Sequence, residues 1–253
     1  MPRLEDLVYR VVNPSLNYGR HLIERYLRDA APFSTVLDLG AGHGDDLAAA
    51  HRVAPAASLH GVEVYPPYRV ELEAAQITVH NVNLERDRLP FADGAVDVVI
   101  ANQIFEHIKE LFWVLHEVSR VLPVGGHAII GVPNLASLHN RILLLLGQQP
   151  SAIISASAHV RGYTYRDFVA TLERCFPDGY EVVARGGSNF YPLPGPLARP
   201  LARIAPSMAW GLFLSLRKTR PYTDDGFLRF PADQQLETNY WTGPDRSGIS
   251  PQV

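Results

Sequence analysis

Three glycines at alternate positions follow a short apolar run, and this spacing points to ligand binding. The run 35–39 precedes Gly40, Gly42 and Gly44, and a helix-forming stretch follows at 46–51. Glycine adopts backbone angles closed to other residues, so a ligand can lie directly against the main chain. Strand, tight turn and helix in this order predict a ligand site at the carboxyl end of a strand and the amino end of a helix.

Polar residues stand at the ends of the predicted strands. Asp38 closes the first strand and Glu63 lies at the tip of the second, while Asn83 follows the third and Asn102 and Gln103 follow the fourth. Open α/β sheets bind their ligands at the carboxyl ends of their strands. These side chains are therefore candidate ligand-binding residues beside the glycine turn.

Two histidines are candidates for removing a proton from a substrate. His107 follows Glu106 just after the fourth strand, and His159 follows a polar loop at 148–157. The unperturbed pKa of histidine lies near neutrality, which makes it the first candidate for a general base. We expect His159 to be the base, while His107 either acts as a base or only orders its loop.

The segment after the fifth predicted strand offers groups for a second ligand. Asn134 marks the end of that strand, and Arg161 and Tyr163 flank a glycine further on. Arg161 can hold a carboxylate or phosphate by two parallel bonds, or pair with a neighbouring acid. The sequence shows no Cys/His cluster or carboxylate grouping at metal-ligand spacing, so it predicts no metal site.

Composition limits the classes of partner and the compartment. The formal net charge of −3 gives no broad basic surface, so nucleic acid is not predicted as a partner. Cys175 is the one cysteine, which fits a reducing compartment. The start of the chain lacks the apolar core of a signal peptide, and the apolar run 142–146 is too short to span a bilayer. The sequence predicts a cytoplasmic protein.

Strand and helix signals alternate along the chain, as a parallel sheet requires. Two helices are predicted before the first strand, at 3–12 and through Leu22 to Leu27. The prediction divides the chain into a helical segment at 1–34, one α/β domain at 35–220 with an insertion at 135–163, and a tail at 221–253. The predicted strands lie at 35–38, 58–64, 77–82, 96–101, 127–132, 181–185 and 210–216. The proline-rich run 191–206 is predicted as a long connection, and the tail shows no clear periodicity.

Three motifs in this order resemble those of class I S-adenosylmethionine-dependent methyltransferases. They are the glycine motif at 36–44, the region 89–100 leading into the fourth strand, and the turn at 122–126 before the fifth strand. The resemblance covers roughly residues 30 to 218. It implies a three-layer, doubly wound, Rossmann-like α/β fold whose seven-stranded sheet has an antiparallel last strand. It also implies that the predicted insertion covers the acceptor.

The resemblance assigns roles to the residues singled out above. S-adenosylmethionine is the implied cofactor and S-adenosylhomocysteine the product. Glu63 would accept bonds from the ribose hydroxyls, Asn83 would contact the adenine amino group, and Leu84 would pack on the adenine face. Free amides at Gly44 and Asp45 would face the methionine part. The complete predicted cofactor set is Asp38, Gly40, Ala41, Gly42, Gly44, Asp45, Glu63, Val64, Asn83, Leu84, Asn102, Gln103 and His107, and the predicted acceptor set is Asn134, Arg161 and Tyr163.

The acceptor is predicted only as a class: a small molecule, a glycan or a lipid-linked intermediate, methylated at oxygen. Methylation of nitrogen or carbon, and a non-catalytic cofactor-binding scaffold, stay open as alternatives. A nicotinamide-dependent dehydrogenase shares a glycine loop and an acid after the second strand, but Asp45 breaks the G-x-G-x-x-G spacing. The leucines at 143–146, with Arg199, Arg203, Arg217, Lys218 and Arg220, allow at most peripheral membrane contact. A homodimer is also possible.

Overall fold

The structure, a computed structural model, describes residues 13–236 and 240–243; the helix predicted at 3–12 lies outside them. Its centre is a seven-stranded sheet in the order β3-β2-β1-β4-β5-β7-β6. The strands are β1 (Thr35–Leu39), β2 (Ser58–Val62), β3 (Thr78–His80), β4 (Val98–Asn102), β5 (His127–Pro133), β6 (Tyr180–Ser188) and β7 (Gly211–Lys218).

Helices connect most of these strands. They are α1 (Arg20–Ala30), α2 (Asp45–Val53), α3 (Pro66–Ala74), α4 (Leu111–Val121), α5 (Leu138–Leu145), α6 (Tyr165–Cys175), α7 (Gly195–Ile204) and α8 (Gly226–Asp233). Short 3-10 turns lie at Pro14–Tyr18, Phe105–His107, Ser151–Ile153 and Pro206–Met208. Within the described ranges, no helix combines the length and the apolar character needed to cross a bilayer.

The directions of the strands confirm the predicted fold. β1 pairs in parallel with β2 and β4, and β5 runs parallel to β4. β7 is antiparallel to both β5 and β6. Parallel neighbours require crossover helices, which is why strand and helix alternate in the sequence. All the parallel strands therefore present their carboxyl ends at one edge.

Two apolar cores lie on opposite faces of the sheet. Leu37 and Leu39 point into one core with α4, α6 and α8, whereas Val36 points into the other with α1 and α2. Successive side chains of a strand point to opposite faces, so β1 contributes to both cores. The result is three layers, with helices covering each face of the sheet.

The segment before β1 is part of the same core. Asn13 caps the turn Pro14–Tyr18 by accepting a hydrogen bond from the Ser15 N–H. In α1 the residues of one face, Leu22, Ile23, Tyr26 and Leu27, are buried, as the spacing predicted. The second N-terminal helix is thus confirmed, and it packs on the sheet through this face.

Two predictions about the last third of the chain are wrong. The run 191–206 contains α7, whose proline near the amino end lies where the helix needs no N–H donor. Its Ala198 and Ala202, one turn apart, are buried. The tail, for which no periodicity was predicted, forms α8, and Phe227 and Leu228 of this helix are buried against the core.

Candidate functional site

The glycine turn after β1 is fixed to the end of β2. The N–H groups of Gly40 and Ala41 both donate to the Val62 carbonyl, at 2.8 and 3.0 Å. The Gly44 N–H donates to the Ala41 carbonyl at 2.8 Å, so the expectation of a free amide at Gly44 is corrected. All three glycines of the turn have positive φ, between 52° and 80°. Other residues adopt this backbone at a cost, which explains the three glycines.

There is empty space beside Gly42, on the side of the turn where its Cβ would point. No described atom lies within 4 Å of the position that a Cβ on Gly42 would take. By contrast, a Cβ on Gly40 would lie 2.1 Å from Cδ1 of Ile104, the residue that follows β4 closely. The turn is therefore packed beneath Gly40 and open above Gly42, which makes a cradle for a ligand.

Glu63 connects β2 to this cradle. One carboxylate oxygen accepts from the Gly42 N–H at 2.9 Å, and the other accepts from the Tyr65 N–H at 2.8 Å. The side chain is buried. Each carboxylate oxygen can accept more than one hydrogen bond, so both oxygens keep capacity for a pair of ligand hydroxyls.

Three buried acids lie under the turn. Burial raises the pKa of Asp38 well above its ordinary value, and the negative charges of Asp46 and Glu63 raise it further. Burial also raises the pKa of Asp46, while a hydrogen bond from Asn102 lowers it. Asp45, next in the chain, is half exposed and pairs with Arg20 instead. A cationic group placed here would relieve the repulsion among these carboxylates.

The end of β4 carries polar atoms without protein partners. Asn102 donates to the Tyr18 carbonyl and to Asp46, at 3.0 and 2.7 Å. Among the described residues, the buried atoms Asp46 Oδ1, Asn102 Oδ1 and Gln103 Nε2 have no hydrogen-bond partner. Buried polar groups are normally paired, so three such atoms beside the cradle point to a polar ligand.

The loop after β3 borders the site on the side of β2. Asn83 is exposed, and its side-chain oxygen accepts from the Glu85 N–H at 3.0 Å, which uses one of its two lone pairs. Leu84 packs against the core, while Val64 is 60% exposed. From the tail, Trp241 donates its ring N–H to the Arg86 carbonyl and stacks on that arginine. The tail thus contacts the loop predicted to hold the adenine.

Both candidate bases lie together, with His107 in the 3-10 turn that follows β4. The ring centroids of His107 and His159 are 4.8 Å apart. His107 Nδ1 donates to the Ala158 carbonyl and His159 Nδ1 donates to the Ala152 carbonyl. These bonds place the proton on Nδ1 in each neutral ring, so the Nε2 lone pairs are available as bases or ligands.

Glu106 completes this cluster. It is 1% exposed, its Oε1 lies 4.0 Å from His107 Nε2, and its Oε2 has no hydrogen-bond partner in the described part of the chain. Burial raises the pKa of Glu106 to about 8. Burial lowers the pKa of His107, a bond to Ala158 raises it, and charge on His159 lowers it.

The cluster brings His159 together with two side chains that are far from it in the sequence. Potential ligand atoms of Glu106, His107 and His159 all lie within 4.8 Å of one another, although the sequence showed no group at metal-ligand spacing. The backbone explains the convergence: the Val160 N–H donates to the Glu106 carbonyl at 2.8 Å. This bond lays the segment around His159 against the turn at Phe105–His107.

The three residues predicted to bind an acceptor differ in what their side chains contact. Arg161 donates to the Lys109 carbonyl, and it forms no ion pair with any described acid. Tyr163 donates its hydroxyl to the Phe105 carbonyl, and Asn134 bonds the carbonyls of Ser207 and Ala209. Tyr163 and Asn134 therefore hold backbone in place, and their contact with an acceptor stays a prediction.

Sequence reasoning missed Asp46, gave no separate role to Glu106, and left open whether Trp241 covers the site or serves a subunit contact. Asp46 follows Asp45 in the chain, and only the start of α2 shows which of the two points inward. Glu106 was noted only as a neighbour of His107. Trp241 lies far along the chain from the loop that it contacts.

Comparisons with known proteins agree with this geometry. Residues 37–130 match the family described as a methyltransferase domain. An uncharacterized methyltransferase of Mycolicibacterium gilvum is 28% identical over 186 residues, which cover 70% of this chain and 68% of that protein. Two other curated relatives are matched over 33% and 37% of their own length.

Solved structures share the fold. An S-adenosylmethionine-dependent methyltransferase of Thermotoga maritima superposes with a TM-score of 0.58 at 15% identity, over 86% of this chain and 97% of that one. The 1,6-didemethyltoxoflavin-N1-methyltransferase of Burkholderia thailandensis, which holds S-adenosylhomocysteine, gives 0.53 at 16% identity over 79% and 78%. Residues 37–130 therefore match a methyltransferase domain, and the chain as a whole has the fold of these S-adenosylmethionine-dependent methyltransferases. The cofactor of such enzymes is S-adenosylmethionine.

The residues present fit that cofactor. The open side of Gly42 gives room against the backbone, and Glu63 has acceptor capacity beside it. The buried acids Asp38 and Asp46 suit a cationic ammonium, and the unpartnered atoms of Asn102 and Gln103 suit a polar amino-acid group.

Proposed function

We propose that this chain transfers the methyl group of S-adenosylmethionine to an oxygen atom of a small-molecule, glycan or lipid-linked acceptor. The observation that carries this proposal is the pair of histidines, His107 and His159, whose rings lie together just beyond the carboxyl end of β4. Both rings present an unprotonated Nε2, and the acidic side chain next to them is buried. Such a pair suits an acceptor that must lose a proton, as a hydroxyl does.

The cofactor would be held by the turn and by the ends of three strands. Glu63 would bind its ribose hydroxyls, Asp38 and Asp46 would face its ammonium, and Asn102 would accept a bond through Oδ1. When bound, S-adenosylmethionine supplies an electrophilic methyl group on its sulfonium. Transfer of that group requires alignment and exclusion of water, which the protein provides by position.

The chemical step that residues of this chain would perform is removal of a proton from the acceptor hydroxyl. The pKa of His107 is lowered by burial and by charge on its neighbour, so this ring holds a proton less readily than an ordinary histidine. We therefore assign the base to His159, whose Nε2 would take the proton of the acceptor hydroxyl. Arg161, with no ion pair among the described residues, would hold an anionic group of the acceptor.

Two other activities remain alternatives. Methylation of nitrogen or carbon uses the same cofactor cradle, because the acceptor side of such folds is built separately. A non-catalytic scaffold would keep the cradle and lack transfer. A cytoplasmic location and a homodimer remain predictions from the sequence.

The test is a transfer assay with methyl-labelled S-adenosylmethionine against acceptors that carry hydroxyl, amine, carboxyl or activated carbon groups. Label on hydroxyl acceptors, lost in His159→Asn, is the expected result. Label only on nitrogen or carbon would replace the proposal by the first alternative. Binding of S-adenosylhomocysteine without transfer to any acceptor would favour the scaffold.

A further inference from the structure

Two helices, α5 and α7, expose large apolar side chains. In α5 and just after it, Leu145 is 86% exposed and Leu146 is 66% exposed. In α7, Ile204 is 79% exposed, and Leu197 and Leu201 lie beside it on the same side of the helix. Isolated exposed apolar residues are common, whereas a group of them on adjacent elements marks an interaction surface.

The two helices belong to one face of the molecule. Leu138, the first residue of α5, packs against a small cluster that includes Ala198 and Ala202 of α7. The rings of His139 and Tyr191 also lie 5.3 Å apart. We call this surface the α5–α7 face and define it by its exposed apolar residues Ile142, Leu144, Leu145, Leu146, Leu197, Leu201, Ile204 and Met208.

The charge on this face is entirely positive. No Asp or Glu occurs at 118–166 or at 182–223, although the whole chain carries a net charge of −3. Arg141 lies on α5, and Arg199 and Arg203 lie on α7 next to the apolar stripe. All three are exposed, and none forms an ion pair with an acid in the described ranges.

A cavity of about 480 Å³ lies next to this face, between the start of α5, the start of α6, β6 and the turn after α7. Arg141 lines it from α5, and Pro206 and Ser207, just after α7, line it from the other side. Arg166 and Arg185 contribute further positive charge to its wall. Like the face itself, this cavity offers cationic and apolar groups together.

We propose that the α5–α7 face docks on the surface of an anionic lipid bilayer. Exposed leucine and isoleucine side chains would enter the boundary between headgroups and acyl chains, while the arginines would contact phosphates. A symmetric contact with a second copy would bring the same arginines face to face without any acid between them, which opposes self-association. The lipid headgroups supply the negative charge that the face lacks.

Three other basic residues are not available to contact a bilayer, because they are buried or paired. Lys218 is buried and donates to the carbonyls of Ser119 and Leu122. Arg217 pairs with Glu181 and Arg220 pairs with Asp224. The docking charge therefore comes from Arg141, Arg199 and Arg203, not from the basic group after β7.

Sedimentation of the full chain with vesicles tests the proposal. The protein is mixed with vesicles of phosphatidylcholine alone, or of phosphatidylcholine with phosphatidylglycerol. We expect binding to the anionic vesicles, weakened by salt, and little binding to the neutral ones. Each of Arg199→Gln and Arg203→Gln should weaken binding about fivefold, and Leu145→Ser with Ile204→Ser should weaken it about tenfold or more.

Matched control variants test whether vesicle binding depends on the α5–α7 face or on exposed residues in general. Arg229→Gln, an exposed arginine on α8, and Val70→Ser, an exposed apolar residue on α3, should bind vesicles as the parent does. Binding of S-adenosylhomocysteine by every variant shows that each one is folded. Equal binding to both vesicle types, or equal losses in the control variants, would overturn the proposal. A dimer in solution that Leu145→Ser and Ile204→Ser dissociate would also overturn it, in favour of a second copy.

Discussion

The carboxylate of Glu63 accepts a hydrogen bond from the backbone N–H of Gly42, 2.9 Å away. This bond fixes the acid at the end of β2 against the most open glycine of the turn after β1. It also explains why both features occur together in the sequence, since the acid and the glycine build one wall of the same cradle.

Glu63→Gln tests the role of the acid. The amide has one acceptor oxygen where the carboxylate has two, so it cannot keep both backbone bonds and bind two ribose hydroxyls. We expect S-adenosylhomocysteine to bind less tightly, with a binding free energy that is less favourable by about 1.5–3 kcal/mol when measured by calorimetry. Glu71→Gln, an exposed acid that pairs with His43, is the control and should bind normally. Equal affinity in Glu63→Gln and the parent would remove this residue from the site.

Binding of the cofactor should release protons. Burial raises the pKa of Asp38 and Asp46 in the free protein, and a bound ammonium favours their ionised forms. The affinity for the cofactor should therefore fall as the pH falls through these pKa values, which lie above the ordinary value of 3.8 for Asp. Calorimetry in buffers of different ionisation enthalpy measures the protons released. Proton uptake, or affinity that rises on acidification, would contradict the assignment.

The histidine pair predicts a pH profile. A neutral imidazole is required to accept a proton, so transfer to a hydroxyl should fall on the acidic side as the base becomes protonated. His159→Asn should lower kcat by about 10²–10⁴-fold, and His107→Asn should lower it less. Measuring kcat and KM separately against pH distinguishes a base from a residue that only binds. A profile that keeps its acidic limb in His159→Asn would assign the base elsewhere.

Arg120 should be important for stability. It is buried, donates two bonds to Glu117 and bonds the carbonyls of Leu89 and Phe91, so it ties the turn before β4 to α4. Removing it leaves Glu117 buried without its main partner, so Arg120→Met should lower Tm by about 10 °C. Arg217→Met breaks an exposed pair and should change Tm little. Equal shifts in the two variants would contradict this.

The region from β1 to β5 could be predicted closely from the sequence. Buried parallel strands are short apolar runs, and the glycine, proline and polar residues at their ends separate them from helices. The observed bounds differ by a few residues; for example, β2 ends at Val62 rather than at 64. The positions of Glu63, Asn102 and Gln103 follow directly from those strand ends.

The later elements were harder to predict for identifiable physical reasons. In α7, the prolines suggested a loop, although Pro196 lies in the first turn, where a helix tolerates it, and Leu197, Leu201 and Ile204 already had helical spacing. The cluster of Glu106, His107 and His159 depends on a backbone bond between residues far apart in the chain. Sequence spacing carries no signal for such a contact.

The central claim is that the turn at Gly42 seats the cofactor. The most direct measurement is calorimetric titration of S-adenosylhomocysteine into the Gly42→Ala and Gly125→Ala variants. Both glycines have positive φ and open space at the Cβ position, so each substitution should cost similar stability, about 1–2 kcal/mol. We expect Gly42→Ala to weaken binding about 100-fold, because its methyl group enters the cradle, while Gly125→Ala binds as the parent does. Undiminished binding by Gly42→Ala would contradict the claim.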